Sequence, residues 1–130
     1  MKYSSNKNIV YHCLFHVIFC TKWRRKIIEG DIEDRFKQIA ESVALELAFD
    51  IKEMKCMPDH VHLLINVDPQ FGIHRAVKRI KGRTSKLLRE EFPSIPSRIP
   101  TLWTNSYFVS TVGELDEKAI TTYIQNQKHA

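Results

Sequence analysis

Residues 57–67, MPDHVHLLINV, open on a tight turn at Pro58–Asp59 and continue as an alternating run. With a side-chain period of two, Val61, Leu63, Ile65 and Val67 share one strand face, and His60, His62, Leu64 and Asn66 share the other. The first set is an apolar stripe that has to be buried, so the strand's orientation follows from it. The second set then brings His60 and His62 to one side, their Cα atoms roughly 6–7 Å apart by the strand rise. Two imidazoles converging on one point are a common start to a divalent-metal site. The plainer reading is two surface histidines on a half-exposed strand.

The rest of the chain is organised around this strand. Residues 49–57, FDIKEMKCM, also alternate and predict the strand before it. Residues 10–21, VYHCLFHVIFCT, hold aromatic and β-branched types without Gly or Pro and predict one long strand. Between them, Ile32, Phe36, Ile39, Val43 and Leu47 recur at helical spacing, with Asp31 as expected N-cap and Asp34 in the first turn. A second helix is expected over Pro69 to Glu91, with Gly82 and Thr84 weakening its middle enough to split it in two. Phe92 to Pro100 carries three prolines and reads as a loop. Leu102 to Val112 predicts a fourth strand ended by Gly113, and Leu115 to Lys128 a last helix capped near Asp116. The order β-α-β-β-α-β plus a C-terminal helix predicts an α+β, ferredoxin-like (RRM-like) antiparallel sheet. Because that fold hosts many functions, function has to come from the site.

The chain has 130 residues, a length that suits one domain, and is 43% hydrophobic and 27% charged, enough for an ordinary core. Lys and Arg number 20 against 15 Asp and Glu, a net charge of +5 that suits a polyanionic partner. Cys13, Cys20 and Cys56 form no C-x-x-C, so buried reduced thiols in a cytoplasmic protein are expected. The polar N-terminal stretch has no signal-peptide pattern, and the apolar run around residues 13–20 is too short to span a bilayer.

Three further features carry chemistry. Tyr123 and Gln127, in YIQNQ, fall one helical turn apart on one face. A phenol oxygen can attack phosphorus when a metal neutralises the phosphate, and an amide oxygen is a hard ligand suited to Mg²⁺ or Mn²⁺. The alternative is a tyrosine packed on the sheet beside a solvated glutamine. Arg75, Lys78, Arg79, Lys81, Arg83, Lys86 and Arg89 are seven cations in fifteen residues with no acid among them. With Thr84 and Ser85 as added donors they suit a phosphate backbone. Lys22, Arg24, Arg25 and Lys26 surround Trp23, a ring able to stack on a base. His12 and His16 read as structural, Asp59 as a turn residue, a metal ligand or an acceptor for an imidazole N–H, and Trp103 and Tyr107 as core or interface.

MPDHVHLLINV, IKGRTSKLLREEFP, LWTNSYFVSTVG and YIQNQ, in that order, with YHCLFHVIFCTKWRRKII before them, resemble the single-tyrosine HUH transposases of small bacterial and archaeal insertion sequences. The resemblance runs from Tyr11 to Gln127. Trp23 stands where that family often has Tyr, and the longer repeat-associated (REP) tyrosine transposases fit less well. The resemblance implies a metal held by His60, His62 and Gln127, with Tyr123 as nucleophile, cutting and rejoining single-stranded DNA through a 5′-phosphotyrosine. It also implies hairpins at the element ends as the DNA ligand and a homodimer, while the two cationic clusters themselves point to DNA contacts from Lys22, Trp23, Arg24, Arg25, Arg75, Lys78, Arg79, Lys81, Arg83, Ser85 and Lys86. Two other classes stand beside it: a non-catalytic RRM-like RNA-binding module, which would stack bases on central-strand aromatics such as Phe15 and Phe19, and a domesticated transposase that binds without cutting.

Overall fold

The computed structural model describes residues 3–111 and 117–130. A two-residue hairpin, β1 (Ser4–Ser5) with β2 (Val10–Tyr11), precedes a four-stranded antiparallel sheet. That sheet comprises β3 (Leu14–Cys20), β4 (Asp50–Met57), β5 (His60–Asn66) and β6 (Phe108–Thr111), in the order β4-β5-β3-β6. Helices α1 (Gly30–Leu47) and α2 (Ile73–Glu91) link the strands, and α3 (Glu117–Asn126) follows them. With the first and third long strands central and antiparallel, this is the ferredoxin-like arrangement that the element order predicts.

Alternation on β5 works as the sequence dictates: Val61, Leu63 and Ile65 are fully buried, while His60, His62 and Leu64 are only partly covered. Their buried face joins Val17 and Phe19 of β3, Phe36, Ile39 and Val43 of α1, and Val77, Ile80 and Leu88 of α2 in one core. The hairpin turn Pro58–Asp59 connects β4 to β5 with Met57 opposite His60.

Several boundaries depart from the sequence expectation. The long first strand is two pieces, β2 and β3, with His12 and Cys13 between them. Helix α1 starts one residue before Asp31, and its N-cap is Glu29, which makes no side-chain capping bond. Helix α2 starts at Ile73 rather than Pro69 and runs through Gly82 and Thr84 unbroken. Thr84 supports that helix: its hydroxyl donates to the Ile80 carbonyl at 2.7 Å and accepts the buried indole N–H of Trp103 at 3.0 Å. Trp103 is core, edge-on to Phe19 and Phe36. The expected fourth strand is shorter, Phe108–Thr111: residues 101–107 form a loop that meets the end of β3 through the isolated Thr21–Trp103 bridge and through the Thr104 amide, which donates to the Cys20 carbonyl at 2.9 Å. Val112, Gly113, Leu115 and Asp116 lie outside the described residues.

Candidate functional site

The face of the sheet away from α1 and α2 holds the chemistry. Cys20 sits opposite His60, and Ile18 opposite both His62 on β5 and Phe108 on β6, so these side chains share that face. Helix α3 covers part of it: the Tyr123 ring lies 5.9 Å from the Phe108 ring, and Ile18 and Cys20 are buried although they stand outside the helix-side core. The imidazole pair and the phenol therefore lie on the same side of one sheet, with β3 between the strands that carry and support them.

Each histidine has a defined partner. Nδ1 of His60 lies 2.7 Å from Oδ1 of Asp59. An ionised carboxylate only accepts, so His60 donates Nδ1–H, which leaves Nε2 as the nitrogen that can bind a metal. Asp59 is in turn held by Arg24, whose Nε and Nη2 donate to Oδ2 at 3.0 and 2.9 Å. Burial pushes the Asp59 carboxyl up, but hydrogen bonds from His60 and Arg24 outweigh it and hold the group below the ordinary aspartate value. His62 meets a residue the sequence reading set aside as structural: its Nε2 is 3.0 Å from Nδ1 of His16. Burial, then His16 and Lys55, push His62 below the usual histidine value, which favours the neutral form that ligates metals.

Arg24 reaches Asp59 from a strained turn. Trp23 and Arg24 both have left-handed backbones, φ 57° and 52°, in the short 3₁₀ segment Lys22–Arg24. Such residues cost roughly 1–3 kcal/mol each and persist where the surroundings over-determine them. Here the Lys22 amide donates to the Leu102 carbonyl, Trp23 to Ala130, Arg24 to Thr21, and the Thr21 hydroxyl to the Arg25 carbonyl. The turn leaves Trp23 exposed, with Lys22 and Arg25 against its ring.

Tyr123 and Gln127 share one partner, the hydroxyl of Ser106. Ser106 Oγ is 2.9 Å from the phenol oxygen and 3.4 Å from Gln127 Oε1, to which it donates. A serine has one proton to give, so with both bonds formed the phenol donates to Ser106. Burial pushes the Tyr123 phenol above the ordinary tyrosine value, with the Ser106 bond working against it. Among the described residues no hydrogen bond joins Tyr123 or Gln127 to His60 or His62, so the fold brings the four residues to one face without closing them on one point.

In kind, these donors suit a divalent cation: two imidazoles, one with its ring held by a carboxylate, and a neutral amide oxygen. Among the described residues no group of three or more His, Cys, Asp or Glu side chains is placed to hold a metal ion, so a third protein ligand would have to be of another type, as Gln127 is.

The cationic residues differ in what they already contact, and the Arg75 guanidinium lies 4.5 Å from the centre of the Phe71 ring. Arg75, Lys78, Arg79 and Lys86 are exposed along α2, line an open groove of about 580 Å³ and make no ion pair among the described residues. Ser85 lines a second groove of about 420 Å³ between α2 and residues 101–107. Lys81 departs from the expectation of a phosphate contact. Its ammonium donates to the carbonyls of Thr104 and Ser106 at 2.7 and 3.0 Å, and burial pushes its pKa down to about 8. Arg83 is paired with Glu46 at 2.6 Å, Arg89 donates to the Ile99 carbonyl, and Arg24 is committed to Asp59. Sequence reasoning missed His16 and Ser106, because a strand's cross-strand neighbours and a loop's reach depend on register and closure.

Comparison with known proteins places this geometry. A family model described as "Transposase IS200 like" matches residues 9–127. The chain is 31% identical to the ISDra2 transposase TnpA of Deinococcus radiodurans, over 98% of this chain and 92% of that one. A solved Deinococcus radiodurans structure, described as that of a transposase, superposes with a TM-score of 0.87 at 32% identity, covering 98% of this chain and 99% of the other. A REP-associated tyrosine transposase bound to a REP hairpin superposes with a TM-score of 0.61 over 100% of this chain and 75% of that one; at 13% identity this likeness is one of fold. A sheet face that carries the HVH pair and is partly covered by a tyrosine-bearing helix thus occurs in a chain that belongs to the IS200-like transposase family, and its work is the cutting and joining of DNA in transposition.

Proposed function

We propose that this transposase cuts and rejoins single-stranded DNA at insertion-sequence ends by a metal-dependent reaction with Tyr123 as nucleophile. The observation that carries the reading is the shared sheet face: His60, His62, Tyr123 and Gln127, which the family resemblance assigns to one centre, lie on one side of the sheet. His60, His62 and Gln127 would hold a divalent cation, Mg²⁺ or Mn²⁺. Such a cation supplies charge neutralisation at a scissile phosphate.

The chain's own residues account for the remaining steps. Asp59 and Arg24 fix the His60 ring, so its Nε2 needs no reorientation. Tyr123 Oη attacks phosphorus, forming an O–P bond as the bond to the 3′-oxygen breaks. The phenol proton is lost and the departing 3′-oxygen takes one up. The resulting 5′-phosphotyrosine conserves the phosphodiester energy, and attack by a 3′-hydroxyl reverses the step. For the phenol to reach a phosphate beside His60 and His62 it must leave Ser106, so movement of α3, within one chain or between the two of a homodimer, belongs to the cycle. Arg75, Lys78, Arg79 and Lys86, with the Trp23 turn, position the backbone of a DNA hairpin without specifying its bases.

The test is a labelled single-stranded oligonucleotide carrying a hairpin element end, incubated with Mg²⁺. A covalent protein–DNA adduct mapping to Tyr123 is expected, absent in Tyr123→Phe, with hairpin affinity nearly unchanged. Cleavage by Tyr123→Phe at the wild-type rate, or cleavage that persists in EDTA, refutes the mechanism. An RRM-like binding module would form no adduct at all.

A further inference from the structure

We propose that His16 is a positioning residue of the metal centre, holding His62 in the tautomer and ring rotation that present His62 Nδ1 to the cation. The inference rests on the proposed metal site and goes beyond its ligand set.

Three observations carry it. The first is placement. In the β3–β5 register His16 stands opposite Leu64 and Ile18 opposite His62, so His16 is the diagonal neighbour of His62 on the site face, a position from which long side chains meet. The second is contact. Nδ1 of His16 and Nε2 of His62 are 3.0 Å apart, with ring centroids 5.2 Å apart and planes tilted by 55°. This is the only side-chain hydrogen bond that His16 makes among the described residues. The third is parity with the other ligand. His60 has its ring fixed through Nδ1 by Asp59, and His62 has no carboxylate or carbonyl partner of that kind among the described residues. His16 fills the corresponding place.

The direction of the bond follows from the chemistry. One ring nitrogen of the pair must donate and the other accept. If His16 donated, the lone pair of His62 Nε2 would be spent and its Nδ1 would carry a proton, leaving no donor for a metal. A ligating His62 therefore donates Nε2–H to His16, and its lone pair lies on Nδ1. The two ligands then offer different nitrogens, Nε2 from His60 and Nδ1 from His62. Metal-ligating histidines commonly donate their second ring N–H to a fixed acceptor, and loss of that acceptor typically weakens metal binding about 10- to 100-fold.

The experiment measures Mn²⁺ binding calorimetrically for wild type, His16→Ala and His16→Asn, with thermal melts of each. In parallel, long-range ¹H–¹⁵N spectra of the metal-free protein report the His62 tautomer. Asparagine carries an amide atom close to where Nδ1 of histidine stands, so it can keep the acceptor. His16→Ala is expected to lose about tenfold or more in Mn²⁺ affinity, and His16→Asn to recover most of it. Wild-type His62 should show its proton on Nε2, with the two tautomers mixed in His16→Ala. Wild-type Mn²⁺ affinity in His16→Ala overturns the inference while leaving the metal site standing. Tighter binding overturns it too, and would make His16 a competitor for the ligand nitrogen. Equal losses in the Ala and Asn variants overturn it in favour of a ligand role for His16 itself. A wild type that binds no Mn²⁺ removes the metal site and this inference together.

Discussion

Asp59 divides its two carboxylate oxygens between two tasks: Oδ1 fixes the His60 ring and Oδ2 takes the Arg24 guanidinium. Removing the carboxylate frees the imidazole to rotate and leaves Arg24 without its counter-charge. Asp59→Ala is therefore expected to weaken Mn²⁺ binding about 10- to 100-fold in calorimetry, and an unchanged affinity would detach Asp59 from the site. Lys81 poses a different question, because a cation in the basic run is spent inside the protein on two carbonyls. Burial lowers its pKa to about 8 from the ordinary 10.5, so between those values the unfolded chain holds more protons than the folded one. Stability attributable to this residue then rises with pH across that window. The urea-unfolding free energy of wild type minus that of Lys81→Met should grow from about pH 7.5 to about pH 10. A flat difference would mean that Lys81 titrates as in water.

Helix α3 carries the proposed nucleophile yet has no fully buried residue between Glu117 and Asn126. Its contacts include Tyr123 on Phe108, the double contact of Ser106, and the bonds of residues 127–130 just beyond it. Few buried apolar contacts and a polar latch place an element at the low-stability end of a fold. Ser106→Ala should speed hydrogen exchange in the amides of residues 117–126 while leaving β3 and β5 unchanged. Equal protection in both proteins would show that Ser106 does not restrain the helix. The contrast with β5 explains what sequence could and could not reveal. Strand β5 was legible because Val61, Leu63 and Ile65 need burial every second residue, which also orients His60 and His62. Helix α2 was legible in its C-terminal end but not in its start or its continuity: it begins at Ile73, and where it passes Thr84 unbroken that side chain accepts from an indole nineteen positions away. The partners of His62, Tyr123 and Gln127 were illegible, because strand register and loop closure bring His16 and Ser106 to them.

At the scale of the whole molecule, the sheet separates two surfaces of different character: the site face, with its histidines and α3, and the outer face of α2, with its unpaired cations. Sequence alone treats the seven cations from Arg75 to Arg89 as equivalent; the fold does not. Arg83 is paired with Glu46 across the α1–α2 contact, Lys81 is turned inward, and Arg89 binds a loop carbonyl. Lys78, Arg79 and Lys86 remain exposed, with no ion pair among the described residues. If this face tracks a phosphate backbone, only cations that displace condensed counterions contribute to the salt dependence of binding. Each of Lys78→Ala and Lys86→Ala should then reduce the slope of log affinity against log salt by about 0.7 on a single strand or about 0.9 on a hairpin stem. Arg83→Ala should change it far less, since Glu46 already neutralises that guanidinium. Filter binding of a hairpin oligonucleotide over a salt series measures all three slopes. A slope change for Arg83→Ala as large as for Lys78→Ala would mean that DNA displaces Glu46 and recruits the arginine. No change for either lysine would move the DNA track off α2 and toward the Trp23 turn, where Lys22 and Arg25 flank an exposed ring.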